Sequence, residues 1–177
     1  MPEVQMRWEH SELFAVTFSS AASGMQRCLK HNSLPPSLIE VSQFGENLGE
    51  LRMMLYVSVN LPPSSPLIVV FHGASQSAEG YAEGAGWLSL ADRFGFAVLC
   101  PEQNKRNNAC LAFNWFEPDD MAREGGEAAS IRQMVETAVE EHTLDRTRIF
   151  ITGLSAGGAM TAVMLATYPD IFAVGRL

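Results

Sequence analysis

The sequence is short of most features that place a protein in a class at sight. No apolar run approaches the ~18 residues that span a bilayer, so no membrane-crossing helix is expected. Cysteine is scarce: Cys28, Cys100 and Cys110 are odd in number and irregular in spacing. That excludes a zinc site or a disulfide scaffold and leaves buried thiols or at most one bridge. Basic residues are few, with 12 Lys and Arg against 20 Asp and Glu, a net charge of −8. A surface of that sign repels nucleic-acid phosphates and offers anionic lipid no basic patch. The start, MPEVQMRWEHSELFAV, lacks the long apolar stretch of a typical leader peptide. Internal repeats and low-complexity tracts are missing too, which excludes solenoids and extended linkers.

What is present is a globular composition. Apolar residues make up 47 % and charged residues 18 % of the 177 positions, enough for one domain with a real core. Residues 1–48 are hard to read: LFAVTF (13–18) fits a short strand or a helical turn, and LPPS (34–37) is a break. From Gly49 the pattern sharpens. LRMMLYVSVN (51–60) reads as a strand, and LPPSSP (61–66) as a turn whose prolines block helix and ladder alike. LIVVFHG (67–73) is the continuous apolar run of a strand buried on both faces.

Residues 78–94 read as one helix with Trp87, Leu88, Ala91 and Phe94 on one face, ended by Gly95. FAVLC (96–100) is a strand stopped by Pro101. EAASIRQMVETAVEEH (127–142) is a helix burying Ile131, Met134, Val135, Ala138 and Val139. RIFIT (148–152) is a strand, and SAGGAMTAVMLATY (155–168) an apolar helix ended by Pro169. Such alternation predicts the α/β class, with a mostly parallel sheet flanked by helices.

Gly153-Leu154-Ser155-Ala156-Gly157 fits G-x-S-x-G. Chance produces that pattern in about one chain in twenty of this length, so the pattern alone does not decide. Its place does: it follows a strand and opens a helix, where a sharp turn presents a serine hydroxyl at the carboxyl edge of a sheet. Glycine is needed on both sides because the turn is crowded. Ser155 is therefore the candidate nucleophile, set at a helix N-terminus that favours developing negative charge. The N–H of Ala156 is the expected first oxyanion donor. His72-Gly73 closes the buried strand, and Ala74 after it is the expected second donor. His72 itself reads as a hydrogen-bonder that shapes the loop. A phosphate-binding turn is disfavoured, since Ser155 stands where the second glycine of G-x-G-x-x-G belongs and no Walker lysine follows.

The connection from Pro101 to Gly126, PEQNKRNNACLAFNWFEPDDMAREGG, is long for a compact domain and leaves the same rim. Phe113, Trp115 and Phe116 are too apolar for an idle loop. Trp115 either lines an acyl pocket or plugs the loop from beneath.

The blocks PLIVVFHG, GWLSLADRFGFAVLCPEQ, NACLAFNWFEPDD, GEAASIRQMVE and ITGLSAGGAM resemble the polyhydroxybutyrate depolymerase-type esterases. These are α/β-hydrolases allied to feruloyl and acetylxylan esterases. The resemblance runs from about Glu50 to Gly175. It implies a partial α/β-hydrolase domain over 49–177, following the unread segment 1–48. It also implies a serine esterase acting on short hydroxyacyl or acyl esters, with no metal or organic cofactor, and an extracellular setting. The missing leader would instead make the protein cytoplasmic if its start is genuine.

Two departures are visible. Family members commonly carry a cysteine after the HG pair, and the resemblance implies a bridge from it to the one in the NWF block; Ala74 stands there instead, leaving Cys110 without that partner. The fold's triad runs Ser, acid, His, and after Ser155 come only Asp170 and no histidine. Asp170 lies roughly 20 Å along the nucleophile's own helix, at ~1.5 Å per residue, too far to be the acid. The chain is thus expected to lack the triad acid and base and to be impaired as an esterase. The other expectation is a non-catalytic remnant or interaction subunit that self-associates through an exposed sheet edge.

Overall fold

A computed structural model of the protein describes residues 37–173, all within one compact unit, Leu34–Leu177. The strand-or-turn reading of 13–18 and most of the break at 34–37 lie outside the described residues.

The elements run β1 (Ile39–Val41), β2 (Arg52–Tyr56), β3 (Leu67–Phe71), α1 (Ala78–Gly84), α2 (Trp87–Phe94), β4 (Ala97–Glu102), α3 (Pro118–Met121), α4 (Gly126–Glu141), β5 (Ile149–Gly153) and α5 (Ala156–Thr167). The strands form one sheet in the order β1-β2-β4-β3-β5. β3 pairs in parallel with β4 and with β5, whereas β1–β2 and β2–β4 are antiparallel. The sheet is therefore mixed, parallel only where it carries the site. The connection 57–66 explains the change of direction. A parallel return needs a crossover of a dozen or more residues, usually helical, and this stretch carries Pro62, Pro63 and Pro66 and forms no helix.

Alternation along the strands divides the core between two faces. Leu67, Val69 and Phe71 of β3, with Ala97 and Leu99 of β4, pack under Ile131, Met134 and Val135 of α4 and Met160 and Met164 of α5. Val70, Val98 and Cys100 face Ala78 and Ala82 of α1 and Leu88 and Ala91 of α2. Helices thus cover both faces, and β3 is buried throughout its length except for half-buried Ile68.

Four details differ from the sequence reading. The helix expected over 78–94 breaks at Ala85-Gly86, where Gly86 takes φ 76° and caps α2 from its N-terminal side. Phe94 is 63 % exposed rather than packed, with the Arg93 guanidinium 5.1 Å from its ring. Gly95 ends α2 in the left-handed conformation, as expected. Pro101 lies inside β4, opposite Met53, instead of stopping the strand. Pairing with β3 ends at Leu99, so Pro101 has a strand on one side only, where a missing N–H is tolerated. β1, from the stretch that could not be read, adds an antiparallel edge.

Candidate active site

The strained turn forms where the glycine spacing places it. Ser155 sits between β5 and α5 at φ 52°, ψ −114°. A non-glycine residue this far from the allowed regions costs roughly 1–3 kcal/mol, held by its surroundings. Those surroundings are backbone. A Cβ on Gly153 would collide with the Gly157 carbonyl oxygen. A Cβ on Gly157 would lie 2.6 Å from the carbonyl oxygens of both Phe71 and His72. The glycines are required because β5, α5 and the end of β3 touch main chain to main chain. The Leu154 N–H donates to the Phe71 carbonyl at 3.1 Å and closes the contact. Ser155 is exposed, and its hydroxyl makes no capping bond.

The loop after β3 lies against this turn. Gly73 approaches the Leu154 carbonyl, and its N–H donates to Gln76 Oε1 at 2.8 Å. Among the described residues no acceptor takes the N–H of Ala74 or of Ala156. Both expected oxyanion donors are therefore unengaged, on adjoining pieces of chain. An open cleft of about 240 Å³ lies alongside this turn at Leu154, lined also by Gln76, Gly80, Tyr81, Gly84 and Ala85.

His72 shapes this loop as expected. It is fully buried. Nδ1–H donates to the Gly73 carbonyl at 2.8 Å, and Nε2 accepts from the Gln103 N–H at 3.1 Å. Burial holds its pKa below the ordinary histidine value, against the smaller opposing pull of the Gly73 carbonyl and of Glu102. The ring is a neutral pin between two loops.

The long connection is ordered by a network that the sequence reading did not anticipate. Glu127, at the start of α4, is fully buried. One carboxylate oxygen accepts from Gln103 Nε2 at 2.5 Å, the other from the Asn114 N–H at 2.9 Å. Burial pushes its pKa up to about 7, although both donors pull the other way. Gln103 Nε2 also donates to the Ala112 carbonyl, and Gln103 Oε1 accepts from the Asn104 N–H and Asn107 Nδ2. Next to it, Glu102 accepts from the Ala78 N–H at 2.7 Å and pairs with Arg52. One signal was available: Glu127 opens a helix whose neighbouring positions are apolar.

Phe113 is the plug beneath the connection. It is fully buried, with its ring 5.1 Å from Phe71 and 4.9 Å from His72. Trp115 is not a plug: it is 44 % exposed and meets Phe116 edge to face. It also stands outside the lining of the cleft beside Leu154. Cys110 is an exposed free thiol, and its carbonyl accepts the Ser75 N–H at 2.7 Å, tying the connection to the loop after β3. Asp170 pairs with Arg123 at 3.0 and 2.9 Å, an exposed ion pair at the far end of α5. Among the described residues no group of three or more side chains suits a metal ion, and no helix is long and apolar enough to cross a membrane.

Comparison with known proteins accords with this arrangement. Poly(3-hydroxyalkanoate) depolymerase C from Paucimonas lemoignei is 47 % identical over 137 residues, covering 77 % of this chain and 33 % of that protein. Acetylxylan esterase A from Aspergillus oryzae is 34 % identical over 146 residues, covering 78 % and 45 %. Among solved structures, the acetyl xylan esterase from Aspergillus awamori superposes with a TM-score of 0.73 at 30 % identity, over 77 % of this chain and 49 % of that one. The chain thus spans about a third to a half of the length of these relatives. The model of the family described as "Esterase PHB depolymerase" matches residues 54–177. The chain, an α/β-hydrolase by its neighbours, belongs to the esterase PHB depolymerase family.

Proposed function

We propose that Ser155 is the nucleophile of a carboxylic-ester hydrolysis that proceeds through an acyl-enzyme. The carrying observation is the exposed Ser155 hydroxyl, held at φ 52° beside two unengaged N–H groups. Ser155 Oγ attacks the ester carbonyl carbon and yields its proton to a base. The N–H groups of Ala156 and Ala74 hold the resulting oxyanion, and Gly153 and Gly157 keep the turn in place. The C–O bond to the alcohol breaks, the alcohol leaves with a proton, and water releases the acid. The names of the relatives support short hydroxyacyl or acyl esters as substrates, polymeric ones included. Trp115, exposed on the connection, is suited to contact such an ester. Trp115→Ala is expected to raise KM while leaving Tm nearly unchanged; unfolding without a selective rise in KM overturns that role. Action outside the cell accords with polymeric substrates and is tested by fractionating the producing culture. Nucleic acid is not a partner on this reading, given the net charge of −8.

Neither histidine among the described residues is placed to act as that base. Among the described residues, His72 has both ring nitrogens bonded. His142 caps the C-terminal end of α4, next to Thr143, whose carbonyl accepts the Ser64 N–H at the entry to β3, on the opposite rim from Ser155. Without a triad member, intact enzymes retain at most ~10³–10⁴-fold catalysis over water. The polypeptide tested alone should therefore hydrolyse p-nitrophenyl butyrate slowly, and Ser155→Ala should remove even that. Equal rates in the two proteins would sink the assignment of Ser155. Fast turnover abolished by Ser155→Ala would instead refute the impairment.

One observation favours a second reading, an interaction subunit. Among the described residues β5 pairs only with β3, and Phe150 on it is 38 % exposed. A stable dimer in sedimentation with no ester turnover would favour that reading over the first.

A further inference from the structure

A buried carboxylate with no part in acyl transfer stands at one end of a continuous chain of hydrogen bonds. From Glu127 in α4 the chain runs to Gln103 Nε2. Within the same residue the Gln103 N–H continues to His72 Nε2, and His72 Nδ1–H reaches the Gly73 carbonyl. The same peptide group carries the Ala74 N–H at its other end. From the other oxygen of Glu127 a bond reaches the Asn114 N–H, next to Trp115. Two segments far apart in sequence are therefore indexed to a single side chain.

We propose that Glu127 is a positioning residue: through Gln103 and His72 it sets the loop that presents the Ala74 N–H, and through Asn114 it sets the segment that bears Trp115.

The donor inventory supports this. Both carboxylate oxygens face N–H groups, so the network fits the ionised form, which only accepts. A proton on Glu127 would point at a donor and break one of the two bonds. Gln103 cannot turn over to receive it, because its Oε1 already accepts from Asn104 and Asn107 and its Nε2 donates to Ala112. With its pKa pushed up to about 7 by burial, Glu127 changes state near neutrality. The titratable and charged groups around it are few. Asp120 of α3 accepts the Glu127 N–H at 3.1 Å and raises the carboxyl further. Glu102 of β4 is occupied by Arg52 and Ala78. Burial holds His72 below its ordinary value, so its own charge change falls on the acid side of that of Glu127.

The inference rests on Ala74 as an oxyanion donor. It is tested on backbone positions rather than on turnover, so the two can fail separately. Amide resonances of the 177-residue protein are followed by NMR from pH 5 to 9. The amides of Gly73, Ala74, Gln103 and Asn114 should shift together with one midpoint near 7. Glu127→Gln should remove that shared transition. Gln103→Met should remove it at Gly73 and Ala74 while Asn114 keeps it. The proposal is overturned if Gly73 and Ala74 do not follow the midpoint seen at Asn114, or if they still follow it in Glu127→Gln. Should neither variant fold, the wild-type titration decides by itself.

Discussion

The turn at Ser155 and the connection from Gln103 to Gly125 lie on the same rim but are built from different material. The turn is a matter of main chain. Gly153 meets Gly157, Gly157 meets the end of β3, and no side chain intervenes. The connection is a matter of side chains: Glu127, Gln103, His72 and Phe113 are all buried and hold it through specific bonds and one aromatic plug. Main-chain packing tolerates no extra atom. A side-chain network tolerates a new shape but not a new charge or a lost partner. The two regions should fail differently.

The largest effect is expected at the joint between them. Phe113→Ala removes the ring packed on both Phe71 and His72 and should cost about 4 kcal/mol, read from urea unfolding. A loss near zero would mean that the connection is not anchored there. Gly157→Ala should follow at about 3 kcal/mol, a fall in Tm of roughly 10 °C, because its Cβ meets two carbonyl oxygens that belong to the sheet. Glu127 separates the regions by pH. Its folded-state pKa is raised, so the stability it contributes is complete below about 4.5, declines as pH rises, and is gone above about 7. Wild type should therefore lose on the order of 2–3 kcal/mol relative to Glu127→Gln between pH 4.5 and 8. Parallel pH profiles for the two proteins would show that the carboxyl is not raised. Ser155→Gly relieves the turn and should gain about 1 kcal/mol while ending any ester hydrolysis. Cys110→Ser should change nothing in Tm, since it is the carbonyl, not the thiol, that holds Ser75.

The same contrast explains what could be read in advance. β3, β5 and α4 were legible because apolar periodicity and length agree with their burial. Gly153 and Gly157 were legible because glycine spacing records main-chain contact directly. The break between α1 and α2 was written in Gly84-Ala85-Gly86, but the apolar face over Leu88 and Ala91 suggested continuity. Phe94 falls on that face only if one face runs across the whole of 78–94, and the break at Gly86 turns it out to solvent. By sequence Pro101 reads as a stop, because its tolerance depends on which strand is its neighbour, a non-local fact. Glu127 carries only a faint local mark, its apolar neighbours at the start of α4. A glutamate in the first turn of a helix is ordinary, and only the folded connection shows that no water reaches it.

The loop from His72 to Gln76 is fastened at three points: the His72 ring, the Gln76 side chain and the Cys110 carbonyl. For the role proposed for Ala74, this bears on heat rather than on contacts. The loop carrying its amide is fastened before any ester arrives, so the entropy of ordering it belongs to folding and not to catalysis. In an active esterase carrying this loop, loosening any one fastening should make the activation entropy of acylation more negative, even where the rate at one temperature has hardly moved.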